Sequence, residues 1–169
     1  TGDWTLRFLL ITLLVTPLRK LLNQPQLTRY RRMLGLFAFF YGCLHLSIYI
    51  LDDVQRQFAL ADWWKDLMER WYITIGMAAL LGMTALAATS TAGWVRRMGY
   101  KKWQRLHRIV YASAALGVVH YYLLVKSDVR LPVMYGGILA VLLGYRFVVW
   151  MRTPRRRAAP KRVPVTAPR

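Results

Sequence analysis

The sequence predicts an all-α fold, a polytopic bundle of transmembrane helices with five spans in this chain, and three observations lead there. Of 169 residues, 56% are hydrophobic and 14% aromatic, with a mean hydropathy of +0.26. That is more apolar than a soluble domain of this size. Five apolar stretches reach the roughly 20 residues a helix needs to cross a bilayer. The net charge of +18 is gathered into short segments between the apolar runs, the layout of a multi-pass membrane protein and not of a nucleic-acid partner.

The spans follow in order. The first runs over Trp4–Leu22 and contains Pro17, tolerable near a span end where a neighbour can satisfy the freed carbonyl. The second, Met33–Leu51, ends in the longest loop, whose Trp63 and Trp64, with Trp71 and Tyr72, suit an interfacial belt. The others are Trp71–Ser90, Leu106–Val125 and Leu131–Met151. Arg7 and Arg146 lie inside spans and are expected to snorkel to opposite interfaces. Residues 1–151 read as one transmembrane domain, and 152–169 as a basic, Pro/Arg-rich cytoplasmic tail with a composition that favours disorder. The single cysteine, Cys43, excludes an internal disulfide and reads as an apolar mid-helix thiol. The chain opens on Thr1 without a signal-peptide pattern and is read as a mature or truncated fragment.

Loop charge orients the bundle. Arg19, Lys20, Arg29, Arg31 and Arg32 follow span one. Arg96, Arg97, Lys101, Lys102, Arg105 and Arg108 follow span three, and seven more basic residues fill the tail. None of these segments holds an acidic residue; Asp3, Asp52, Asp53, Asp62, Asp66, Glu69 and Asp128 all fall on the other side. The positive-inside rule then puts Thr1 outside and the tail in the cytoplasm. The basic loops also attract anionic membrane lipids.

Two of the three histidines, His45 and His120, sit deep in apolar spans. An ionisable group at that depth is costly and marks a functional site, and neutral imidazole is a common metal ligand. Spans two and four run in parallel. His45 is 13 positions beyond Arg32 and His120 is 12 beyond Arg108, so both rings lie roughly 18–20 Å from the cytoplasmic boundary. Two depth-matched imidazoles can clamp one metal centre, and a porphyrin iron, with an axial ligand on each face, fits them. Gly42 and Gly117 each precede a histidine by three. They share its helix face and leave room for a flat macrocycle.

His107 differs. It falls 13 positions before His120, which on a continuous helix turns the two side chains about 140° apart unless the helix tightens, for instance near Gly117. The residue 14 before His45 is Arg31, not a histidine. Two readings stay open: a ligand to a second heme with an unusual or absent partner, or a hydrogen bond to a cofactor or quinone at the inner face. Arg105, Arg108 or Lys101 could pair there with propionates or quinone oxygens. No GxGxxG, HExxH or EF-hand pattern occurs, and no acidic residue lies in mid-span to serve an ion-coupled transporter.

The stretches TLLVTPLRK (12–20), RRMLGLFAFFYGCLHLSIY (31–49), ATSTAGWVRRMGYKKWQRLHRIVY (88–111) and HYYLLVKSD (120–128) together resemble one family. It is that of the heme-binding membrane subunits of bacterial periplasmic methionine sulfoxide reductase systems, in the ferric-reductase-like transmembrane group that includes the NADPH oxidases. The resemblance spans nearly the whole chain. That family usually has six spans, so the resemblance implies one more before Thr1. It implies b-type heme, one or two, at the positions of His45, His120 and His107. It implies electrons from quinol or a cytosolic flavin reductase, delivered to a periplasmic molybdopterin-containing subunit that reduces methionine sulfoxide. FMN is also attributed to the family; only the Lys/Arg-rich loops here could hold its phosphate. The ferric-reductase relatives use four histidines, against three in this chain. Alternatives are a self-contained ferric or quinone reductase and a heme-free membrane scaffold.

Overall fold

The computed structural model describes residues 1–55 and 69–152. Trp63 and Trp64 of the predicted belt and the tail beyond Arg152 lie outside the described residues. Among these residues the chain is helical, without a strand. Five long helices are α1 (Gly2–Leu21), α2 (Tyr30–Gln55), α3 (Trp71–Ala88), α6 (Ile109–Leu124) and α7 (Arg130–Arg152); two short ones, α4 (Ala92–Met98) and α5 (Tyr100–Leu106), lie between α3 and α6. Three of the described helical segments are long and apolar enough to cross a membrane: Pro25–Asp52, Trp71–Ala88 and Arg130–Arg152. The remaining two long helices differ for identifiable reasons. α1 carries Asp3, Arg7, Arg19 and Lys20, and α6, at 16 residues, falls below the about 17 residues at the low end for a spanning helix.

Turn chemistry separates the elements. After α1 the backbone reverses through Asn23, at φ 52°, and Gln24 N–H donates to the Arg19 carbonyl at 3.1 Å. That is the Schellman closure, for which asparagine is the usual stand-in for glycine. A short 3₁₀ turn, Pro25–Arg29, leads into α2. Thr91 caps α4 by accepting from Trp94 N–H. Gly99, at φ 76°, separates α4 from α5 in a conformation open to glycine and strained for other residues.

α1 packs against α2, α6 and α7, while α3 packs against α6 and α2. Leu6, Leu10 and Leu13 of α1 meet Ala114 of α6 and Tyr135, Leu139 and Leu142 of α7 in the main core. Leu9, Ala38 and Met83 tie α1, α2 and α3. Outward positions remain apolar, with Phe40, Leu81, Val141, Phe147 and Trp150 all exposed, a surface suited to lipid.

Two sequence expectations change here. Arg146 turns inward to other helices instead of snorkelling, while Arg7 stays exposed and reaches back one turn toward the start of its own helix. Arg7 pairs with Asp3 at 2.8 Å and donates to the Tyr135 hydroxyl at 2.9 Å, which in turn donates to Asp3 at 2.6 Å. Arg146 donates to the Leu13 carbonyl and Thr16 Oγ1, both at 2.9 Å, and to the Tyr111 hydroxyl. Leu13 is four residues before Pro17, whose missing N–H leaves that carbonyl without its helical donor. The guanidinium of α7 supplies the donor that proline removes.

The second change concerns the expected helix Leu106–Val125, which begins only at Ile109. At His107–Arg108 the regular ladder gives way to bonds spanning three residues: Arg108 N–H to Arg105, Val110 to His107 and Tyr111 to Arg108. This tighter turn alters the helical phase. His107 therefore caps α5 and does not share a regular helix with His120. The tightening lies at this junction and not near Gly117.

Candidate functional site

α2 and α6 face one another across a cavity of about 530 Å³ flanked by α1 and α3, within the roughly 300–1,000 Å³ common for ligand pockets. His45 enters it from α2 and His120 from α6, with ring centroids 6.3 Å apart and ring planes at 73°. Two metal–imidazole bonds of about 2 Å each, with the ring radii added, come to roughly 6 Å between centroids. The equal depth read from the loop boundaries thus has a counterpart in the packed bundle.

Each ring is held through Nδ1. His120 Nδ1 lies 2.6 Å from the Tyr72 carbonyl oxygen. A carbonyl only accepts, so Nδ1 carries the proton and Nε2 keeps its lone pair. His45 Nδ1 lies 3.2 Å from Thr1 Oγ1; a hydroxyl can donate or accept, so this bond leaves the tautomer open. Among the described residues no cluster of three or more His, Cys, Asp or Glu side chains could hold a metal ion. Two protein nitrogens suit an iron whose remaining positions are filled by a macrocycle. The lining is mainly apolar, including Leu6, Leu9, Leu46, Ile73, Met77 and Leu80. This donor set and cavity fit a heme.

Gly42 and Gly117 both line the cavity, but neither is the glycine packed on a histidine. A Cβ at Gly42 would meet Leu80 at 3.1 Å, and one at Gly117 would meet Leu6 at 3.5 Å. The glycines against the rings come from other helices: Gly2 on His45 and Gly76 on His120, where added Cβ atoms would stand 3.2 and 2.8 Å from ring atoms. Sequence reasoning missed both, along with the Tyr72 carbonyl, because contacts between helices leave no fixed spacing in the chain.

His107 lies away from this pair, at the opposite end of α6. Its ring stacks on Trp103 with centroids 3.9 Å apart. Its Nδ1 donates to the Trp103 carbonyl at 3.1 Å, and its buried Nε2 has no hydrogen-bond partner among the described residues. Trp103 Nε1–H in turn donates to the Thr89 carbonyl at 2.9 Å, fastening α5 to the end of α3. Arg31 lies within electrostatic reach of His107 and of Arg146. Arg105 and Arg108 are exposed and do not line the cavity of the histidine pair. Cys43 is half-buried and unbridged.

Comparison with known proteins agrees with these features. A family model described as ferric reductase like transmembrane component matches residues 1–118. A protein of Xanthomonas euvesicatoria pv. vesicatoria, named protein-methionine-sulfoxide reductase heme-binding subunit MsrQ, is 49% identical over 162 residues, covering 96% of this chain and 72% of its own length. A Rhodospirillum rubrum protein of the same name is 52% identical over 162 residues, covering 94% of this chain and 76% of its own. One from Xanthomonas oryzae pv. oryzae is 49% identical over 165 residues, covering 95% and 73%. With helices, cavity and paired histidines in place, the chain belongs to the ferric-reductase-like transmembrane family and, within it, to the MsrQ heme-binding subunits.

Proposed function

We propose that this chain is a membrane electron-transfer subunit that holds b-type heme between His45 and His120 and passes electrons to a methionine sulfoxide reductase. The observation that carries this reading is the facing pair of imidazoles, 6.3 Å apart across an apolar cavity. The names of the relatives, heme-binding subunits of protein-methionine-sulfoxide reductase, support it. When bound, the heme supplies a one-electron couple. The protein supplies the rest. His120, with its Nδ1 proton on Tyr72, offers Nε2. The apolar lining keeps water from the cavity and lowers the local dielectric, two of the levers that set a potential.

In this reading all five long helices cross a bacterial inner membrane. The charges on α1 are tempered by the Asp3–Arg7–Tyr135 network, and the turn at 107–108 lengthens α6. The basic segments face the cytoplasm and the His45–His120 cavity lies toward the periplasm. Electrons enter near His107, from quinol or a cytosolic flavin reductase, and leave on the side of the Val125–Leu131 connection toward a periplasmic molybdopterin-containing partner. Arg105 and Arg108 are candidates to meet a donor's anionic groups or heme propionates at the inner face, and His107 for a second heme. Reduction of methionine sulfoxide itself belongs to the partner.

The test is to purify the chain after expression with ample heme, reduce it, and add a periplasmic methionine sulfoxide reductase as acceptor. A low-spin b-type spectrum, reoxidised by the partner with loss of methionine sulfoxide, is expected. A colourless protein would overturn the reading. Rapid reduction of a ferric chelate, with no transfer to the reductase, would favour a self-contained ferric reductase.

A further inference from the structure

Tyr72 and Gly76 both touch the His120 ring, and they are one turn apart on α3 and so share a face. The Tyr72 carbonyl is the ordinary helical acceptor for the N–H of Gly76. A carbonyl oxygen has a second lone pair, and here it receives the His120 Nδ1–H at 2.6 Å. For the ring to reach that oxygen it must lie against the next turn of the same helix. A Cβ at position 76 would stand 2.8 Å from Nδ1, 2.9 Å from Cε1 and 3.3 Å from Cγ. The first two are closer than real Cβ contacts, so a side chain there pushes the ring off the carbonyl. The other glycine of α3, Gly82, faces Ser113 and Ile109 and serves the packing of α3 on α6.

We infer that α3 fixes the plane of the His120 imidazole, with Gly76 as a positioning residue, and so holds the His45 and His120 rings close to perpendicular. The inference rests on the reading that this pair holds a heme. Its chemistry is specific. An Nδ1–H bond to a carbonyl makes the imidazole a stronger donor and favours ferric iron. Near-perpendicular axial imidazoles give ferric low-spin heme a highly anisotropic EPR signal, whereas parallel rings give a rhombic one.

The experiment is EPR and a redox titration of the heme-loaded protein as wild type, Gly76→Ala and Gly137→Ala. Gly137, on α7, has nothing within 4 Å of its missing Cβ among the described residues. The wild type should show the highly anisotropic low-spin signal. Gly76→Ala should keep heme, lose that line shape for a rhombic or high-spin one, and shift its midpoint potential upward as the Tyr72 bond stretches. Gly137→Ala should overlay the wild type. A Gly76→Ala protein with unchanged line shape and potential would overturn the inference, as would a rhombic signal from the wild type. Should Gly76→Ala bind no heme, the wild-type line shape decides alone. Absence of low-spin heme from the wild type would instead be a failure of the underlying heme reading.

Discussion

Around His45 and His120, hydrogen bonds are made at the backs of the rings, to Thr1 and Tyr72, and the fronts meet an open apolar cavity. Around His107 and Arg146, at the other end of the bundle, polar groups and aromatic rings close on one another. Arg146 joins α7 to α1 and α6 through Leu13, Thr16 and Tyr111, and Trp103 covers His107. The first region keeps ligand atoms available; the second uses its polar groups mainly to fasten helices. In a bilayer, where backbone groups have no water to bond, both uses are consistent with stability. Even so, both hold buried atoms without a partner among the described residues: Thr5 Oγ1 in the first, His107 Nε2 and Arg146 Nε in the second.

Substitutions can separate the two regions. Arg146→Ala should have the larger effect on stability, lowering it by about 2 kcal/mol, because the Leu13 carbonyl and the Tyr111 hydroxyl lose a charged donor. The low-spin spectrum of the histidine pair should survive. Adding Pro17→Ala should return part of the loss, since an alanine N–H can satisfy Leu13; unfolding in mixed micelles measures both. An Arg146→Ala protein as stable as wild type, or a double variant with no recovery, would remove the proline-compensation account. Tyr135→Phe should cost less, about 1 kcal/mol or below, the usual scale for a hydrogen bond between membrane helices. It breaks the bridge from α7 to Asp3 and Arg7 at the cavity end, and the same unfolding assay reads it.

Much of this division was legible in the chain. The apolar stretches Trp4–Leu22, Met33–Leu51, Trp71–Ser90 and Leu131–Met151 became helices whose ends lie within a few residues of those bounds, because long apolar runs in this composition have few other structures open to them. Equal distances of His45 and His120 from basic boundaries anticipated two rings at one level. The break at His107–Arg108 was not legible, since neither proline nor glycine marks it; Trp103 stacking and three-residue turn bonds make it. The inward turn of Arg146 was hidden too, because it depends on a carbonyl orphaned by Pro17 on a helix more than a hundred residues away. Gly42 and Gly117 drew attention by their spacing from the histidines, while Gly2 and Gly76, which touch the rings, have no such spacing.

The central claim is that one heme lies between His45 and His120. The direct test is the heme-to-protein ratio with oxidised and reduced spectra for wild type, His45→Ala, His120→Ala and His107→Ala, expressed under the same heme supply. His45→Ala and His120→Ala should each abolish the low-spin b-type spectrum of that site, and the ratio in His107→Ala reports whether a second heme depends on that ring. Retention of the full wild-type low-spin spectrum by either His45→Ala or His120→Ala would contradict the pairing.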